Sequence, residues 1–262
     1  MNNSATLNAI SETSDLATFS NFALLVPATF ANLLAIVIFF RSVRREGHVA
    51  NLFLLCLSCT DLLGCFYGLH VVATPLYQHL FSPVICSILV FFGAFFGLLS
   101  ALSATVLAID RYFALCKPYT YGIAFTRKRA FLYIGIIVLI ATSVCLINVV
   151  GLGSSHQFVN NSDGSQTIQC SSRLYQTAPE RRVFGYLYGI LGTAVLLVVT
   201  FCNVQVIITV LKMRRRVASL EGAGAVGQTN QVEVKFARVI IGLSIVLLVC
   251  WSPFMVSLNR IF

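Results

Sequence analysis

Along this chain, long apolar stretches alternate with short polar ones, and the polar ones carry nearly all the charge. Runs free of charged residues extend from Leu16 to Phe40, Val183 to Leu211 and Val239 to Asn259, and another from Ala130 to Ser162 takes in a helix and part of a loop. Leu62 to Ile109 holds no acidic or strongly basic residue and has the length of two crossings. Each run meets the roughly 20 apolar residues that span about 30 Å of hydrocarbon. The pattern predicts helices near 20–41, 50–77, 84–113, 130–152, 183–211 and 236–260, six crossings in all, preceded by a polar N-terminal segment over 1–19. That segment is mildly acidic and the apolar run behind it is long, so the first helix reads as a signal anchor, not a cleaved leader. Residues 221–230 (EGAGAVGQTN) form a Gly-rich connection between the fifth and sixth helices.

Composition agrees with a membrane bundle. The 262 residues are 58% hydrophobic and only 10% charged, too little charge to cover a soluble domain. The net charge of +9 does not point to nucleic acid, because of where it sits. Arg41, Arg44 and Arg45 follow the first helix; Lys117, Arg127, Lys128 and Arg129 lie between the third and fourth; Lys212 and Arg214 to Arg216 follow the fifth. These are alternate loops, so the positive-inside rule places them in the cytoplasm and the N-terminus outside. Arg181 and Arg182 fall on the outer side beside Glu180, as an anchor for the fifth helix or an attraction for an anionic ligand. The sequons at Asn2 and Asn160 then both lie outside, as glycosylation requires.

Of nine cysteines, Cys86 opens the third helix and Cys170 lies in the long outer loop, a compartment that permits a disulfide. A bridge there would pin the loop over the mouth of the bundle. Cys56 and Cys59 have a metal-like spacing but sit in an apolar helix without His or Asp nearby, and read as packing residues.

Polar residues inside hydrocarbon are costly. Asp61 lies mid-helix, and by depth its company is Asn32 and Ser100. These groups would serve a hydrated sodium ion, a protonation switch, or a polar knot that holds helices together. Asp110, Arg111 and Tyr112 end the third helix, and Glu233 opens the sixth within plausible reach of Arg111. An Arg–carboxylate bond between two helix ends can be broken and remade, which suits a two-state lock. Pro253 removes a backbone hydrogen bond from the sixth helix and permits a kink, with Trp251 just below it.

With those residues in order, the chain resembles the rhodopsin-like G-protein-coupled receptors: Asn32 in ANLLAIV, Leu57 and Asp61 in LSCTD, Cys86, Ser100, Asp110-Arg111-Tyr112, and Cys250-Trp251-Ser252-Pro253. The implied fold class is all-α, a polytopic helix bundle of the receptor type with six of its seven helices present. Pro118 and Tyr119 match the inner loop on which this family docks its heterotrimeric G protein, with Tyr119 as an apolar plug. Within the family the chain is similar to the prostanoid receptors, especially the prostaglandin E group, through ANLLAIVIFFRS, TDLLG, KPYTY, GLGSS, FCNV and CWSPFMV. That resemblance implies an acidic lipid ligand, a plasma-membrane location and control of cyclic AMP or calcium.

Three departures stand out. The outer loop reads Ser165-Gln166-Thr167-Ile168-Gln169-Cys170 where the family has a Gly-Thr-Trp-Cys stretch, most prostanoid receptors have Glu in place of Asp110, and the sequence stops at Phe262. The seventh helix carries the prostanoid receptors' carboxylate-binding arginine and the family's NPxxY-type switch, so both are expected to be absent. Gly93 stands where amine receptors carry an aspartate; with Ala94 and Gly97 it leaves room either for an acyl chain or for close helix packing. Tyr77 reads as an interfacial anchor or a hydrogen-bond donor to a ligand carboxylate, and Thr167 as a ligand-side loop residue. Two other functions compete with a signalling receptor. One is a truncated form that pairs with a full-length receptor, or is retained in the endoplasmic reticulum. The other is a transporter, which repeated halves and broken helices would mark, and the chain shows neither. No nucleophile–base pair or metal constellation supports an enzyme.

Overall fold

In a computed structural model of the chain, the structure describes residues 3–45, 48–73, 82–152, 156–160, 166–170 and 183–220. In chain order these form α1 (Asn3–Arg45), α2 (Val49–Ala73), α3 (Pro83–Cys116), a short α4 (Pro118–Ala124), α5 (Arg127–Ile147) with a closing π-turn (Asn148–Leu152), strands β1 (His156–Asn160) and β2 (Gln166–Cys170), and α6 (Val183–Leu220). Five stretches are long and apolar enough to cross a membrane, at Asn21–Arg45, Val49–Ala73, Pro83–Cys116, Arg127–Leu152 and Val183–Met213. They match the first five expected crossings. The sixth, near 236–260, lies outside the described residues.

Local chemistry sets the ends. Ser82 caps α3, its side chain accepting from the Ile85 N–H at 3.3 Å, and Pro83 takes the first turn, where a missing N–H costs nothing. Pro118 then forces the helix to stop one residue earlier, at Lys117, and serves as the first residue of α4. Thr126 caps α5 by accepting from the Arg129 N–H at 3.4 Å. At the far end of α5 the ladder widens into the π-turn, and Gly151 takes φ of 92°, a left-handed conformation suited to glycine.

Three differences from the sequence reading follow from these rules. α1 begins at Asn3, not near residue 20, since neither Gly nor Pro interrupts the chain before Pro27. The inner loop between the third and fourth crossings contains α4, too short to register as a periodic pattern. The outer loop contains a hairpin, β1 and β2 pairing antiparallel with His156 opposite Cys170 and Asn160 opposite Gln166.

α3 is the axis of the bundle, packing against α2, α5, α6 and the hairpin. One buried cluster joins α3, α5 and α6 through Leu98, Leu102, Ala141, Cys145, Val195 and Val199. A second joins α2, α3 and the start of α5 through Phe53, Leu107, Phe125 and Ala130. Ala101, Ala108 and Ala141 are buried along these seams, where small side chains let helices approach closely. The opposite faces are apolar and bare: Leu24 is 72% exposed, Phe30 68% and Leu139 66%. A surface of that kind is what lipid, not water, covers.

Candidate functional site

α3 carries chemistry at three depths. In its middle, the Ser100 hydroxyl donates to Asp61 Oδ1 at 2.5 Å, tying α3 to α2. Asn32 of α1 donates instead to the Ala28 carbonyl of its own helix at 3.0 Å. Of the three residues expected to meet by depth, two are hydrogen-bonded to each other and the third is turned onto its own backbone. Short polar side chains within an apolar helix readily bond back to the carbonyl four residues earlier. Thr29 makes the same kind of bond, to the Leu25 carbonyl at 2.7 Å.

At the end of α3 that carries Asp110-Arg111-Tyr112, Asp110 is completely buried. Its Oδ1 accepts from the Tyr121 hydroxyl at 3.0 Å, while Oδ2 has no hydrogen-bond partner. Tyr121 was not among the residues singled out from the sequence. The signal lay in Lys117-Pro118-Tyr119-Thr120-Tyr121: once Pro118 starts a helical turn, tyrosines two residues apart must point to opposite sides. Tyr119 is 96% exposed, whereas Tyr121 turns inward and stacks on Phe125 with ring centroids 5.4 Å apart. Phe125 in turn meets Phe53, Phe113 and Tyr133. Burial, followed by the adjacent Asp110 carboxylate, pushes the Tyr121 hydroxyl up from 10.0 to about 12. Tyr112 lies against Phe201 of α6 at 6.1 Å, and Cys116 and Thr209 join the same two helices at 3.1 Å. Arg111 is half-buried; Glu233, its expected partner, lies outside the described residues, as do Trp251 and Pro253.

At the opposite end Cys86 and Cys170 form a disulfide, which fastens the hairpin to the first turn of α3. Thr167 is on β2, opposite Val159, and Asn160 closes β1. Tyr77 and Asn2 lie outside the described residues. The space beside Gly93 is filled: a Cβ there would come within 2.7 Å of the Tyr67 hydroxyl, which reaches over from α2 to donate to the Leu89 carbonyl at 2.7 Å. One turn along, a Cβ on Gly97 would lie 3.3 Å from the Tyr188 hydroxyl of α6, which donates to the Ala94 carbonyl at 3.4 Å. The two glycines thus let tyrosines from both flanking helices reach the backbone of α3, a close packing of helices.

Comparison with known proteins agrees with this arrangement. The family described as 7 transmembrane receptor (rhodopsin family) matches residues 31–260. Human melanopsin is 37% identical over 124 residues, covering 45% of this chain and 26% of its own. A GQ-coupled rhodopsin from Mizuhopecten yessoensis is 24% identical over 230 residues, 84% of this chain and 45% of its own. The prostacyclin receptor of Bos taurus is 30% identical over 169 residues, 61% of this chain and 42% of its own. The chain therefore matches less than half the length of each of these curated relatives. With apolar helices in the family's order, the disulfide from the hairpin to α3, and a buried aspartate in the last two turns of that helix, this multi-pass membrane chain belongs to the rhodopsin family of seven-transmembrane receptors.

Proposed function

We propose that the chain transduces an extracellular ligand to a heterotrimeric G protein, at the plasma membrane and with its N-terminus outside. The observation that carries this reading is the Asp110 end of α3. Asp110 is buried with one oxygen satisfied by Tyr121 and one unsatisfied, so its cage is held by a single exchangeable bond. The same short helix that supplies Tyr121 presents Tyr119 to solvent at 96% exposure. A protein that grips Tyr119 would pull on α4, and through Tyr121 on the end of α3. Arg111 is the cation beside this latch, and Glu233 of the sixth crossing is its partner in the resting state.

Asp61 and Ser100 supply a carboxylate and a hydroxyl oxygen of the kind a hydrated sodium ion takes. A cation or a proton there would bias α2 against α3. The ligand is an acidic lipid of the prostanoid type, a reading supported by the matched segments and by the likeness to the prostacyclin receptor. Glycans on Asn2 and Asn160 and pairing with a second receptor copy belong to the same reading.

The test is surface labelling of the N-terminally tagged protein together with cyclic AMP and calcium responses to a prostanoid panel. A response that Arg111→Ala abolishes is expected. Surface expression without any response, in a chain carrying all seven helices, would overturn the prostanoid assignment. Retention inside the cell would favour the modulating form of the protein over the signalling one.

A further inference from the structure

Among the described residues, one buried side-chain amide has no hydrogen-bond partner. Asn148 opens the π-turn at the end of α5 and is only 4% exposed, yet neither its Nδ2 nor its Oδ1 has a hydrogen-bond partner. An amide left bare in an apolar interior is costly, and native structures rarely keep one without a use.

The surroundings say what it would hold. The π-turn packs against both α3 and α6. Cys145, one turn earlier on the same face, sits in the cluster where α3, α5 and α6 meet and lies beside Tyr188. Asn148 follows Cys145 by three residues, one turn closer to the disulfide end of the bundle. The Tyr188 hydroxyl donates to the Ala94 carbonyl at a long 3.4 Å. Phe91, Phe95, Val144 and Leu191 pack, like Tyr188, against that same apolar cluster. The site thus has an amide that both donates and accepts, a hydroxyl that donates, and no charged side chain among the residues that form it.

We propose that Asn148 and Tyr188 form a polar subsite, between α3, α5 and α6, for a neutral hydroxyl or carbonyl group of an otherwise apolar ligand. It is separate from any contact to a ligand carboxylate, which a neutral amide in an apolar wall would hold poorly. The proposal rests on the reading of this chain as a lipid receptor and adds the group that selects among such lipids.

The experiment has two arms. In the first, the ligand-free, detergent-solubilised full-length protein is melted as wild type, Asn148→Leu and Asn148→Ala. Removing two unsatisfied atoms is expected to raise Tm in the leucine variant. A lower Tm in both variants would overturn the proposal and make Asn148 a structural knot around an internal water only. In the second arm, a tritiated, hydrolysis-stable prostacyclin analogue is bound beside analogues lacking one hydroxyl each. Loss of one particular hydroxyl should weaken wild-type binding about tenfold. The leucine variant should lose the same factor for the parent compound and no more for the deoxy compound. Equal affinity in wild type and variants, or independent additive losses, would overturn the subsite. If the wild type binds no prostanoid, the prostanoid reading falls and the melting arm alone decides the subsite: a raised Tm keeps it for another apolar ligand, and an unchanged or lower one removes it.

Discussion

At one end of the bundle a side-chain tie between α3 and its loop is covalent, Cys86 to Cys170; at the other the side-chain tie is a hydrogen bond, from Tyr121 to Asp110. The covalent tie fixes a two-stranded hairpin whose register is set along five residue pairs. The hydrogen-bonded tie holds a seven-residue helix, backed by stacked aromatic rings, in a place where one carboxylate oxygen stays unsatisfied. The first fastening can only persist or be reduced. The second can be exchanged for other partners at modest cost, so it is the end where a two-state change can occur.

That contrast can be broken from either side, and the largest effect is expected at the covalent end. Cys170→Ser opens a loop whose ends are separated by 84 residues, which the chain-entropy picture values at about 4 to 5 kcal/mol. Thermal melts of the solubilised protein with and without reductant should show it, with the mutant insensitive to reductant. A wild type that melts at the same temperature in reductant would remove the distinction between the two ends.

Next in size is Phe125→Ala. It deletes the ring on which Phe53, Phe113, Tyr121 and Tyr133 converge, and burial of this kind is worth about 3 to 4 kcal/mol. The same melts measure it. A loss well under that figure would mean that Asp110 and Tyr121 hold α4 without the aromatic support.

Tyr121→Phe keeps the ring and removes the bond, leaving both Asp110 oxygens bare at a cost of about 2 kcal/mol. Basal nucleotide exchange on an added G protein should rise, because the resting arrangement loses its latch; unchanged exchange would count against the latch. The alkaline limb sharpens the point. The Tyr121 hydroxyl ionises near 12 in the folded protein instead of 10.0. Its raised value means that its stabilising contribution is complete below the ordinary tyrosine range and fades as pH climbs toward 12. Tyrosinate absorbance of wild type minus Tyr121→Phe should show one group titrating late in that window.

The smallest effect is expected from Gly93→Ala, about 1 kcal/mol. The added methyl displaces the Tyr67 hydroxyl from the Leu89 carbonyl, but the ring end that must yield is flexible. Amide exchange at Leu89 and its neighbours should accelerate while the Asp110 end stays unchanged. Acceleration at both ends would show that α3 responds as one rigid rod.

Much of this was legible in the residues. Uninterrupted apolar runs specify membrane helices whatever their neighbours, because hydrocarbon offers no partner for a bare backbone. Five crossings accordingly lie where the pattern puts them, with ends shifted by caps and prolines. Asp61 with Ser100, and Cys86 with Cys170, could be paired because each member is conspicuous for its setting. Asn32 could not be placed, since depth alone does not say which way an amide turns. Tyr121 and Asn148 were missed for a related reason: tyrosine in a basic loop and asparagine near a helix end are ordinary until their neighbours are known.

The number and length of the apolar segments, the grouping of charge into alternate loops, and the residues too polar to lie idle in lipid are all written in the order of the residues. These depend on each segment's own transfer from water to hydrocarbon. Tertiary structure alone decided that Tyr67 fills the gap at Gly93, that Tyr121 and not Tyr119 meets Asp110, and that the Asn148 amide is enclosed without a partner. Those outcomes turn on the rotation of each helix about its own axis, which is set by packing against neighbours distant in the chain.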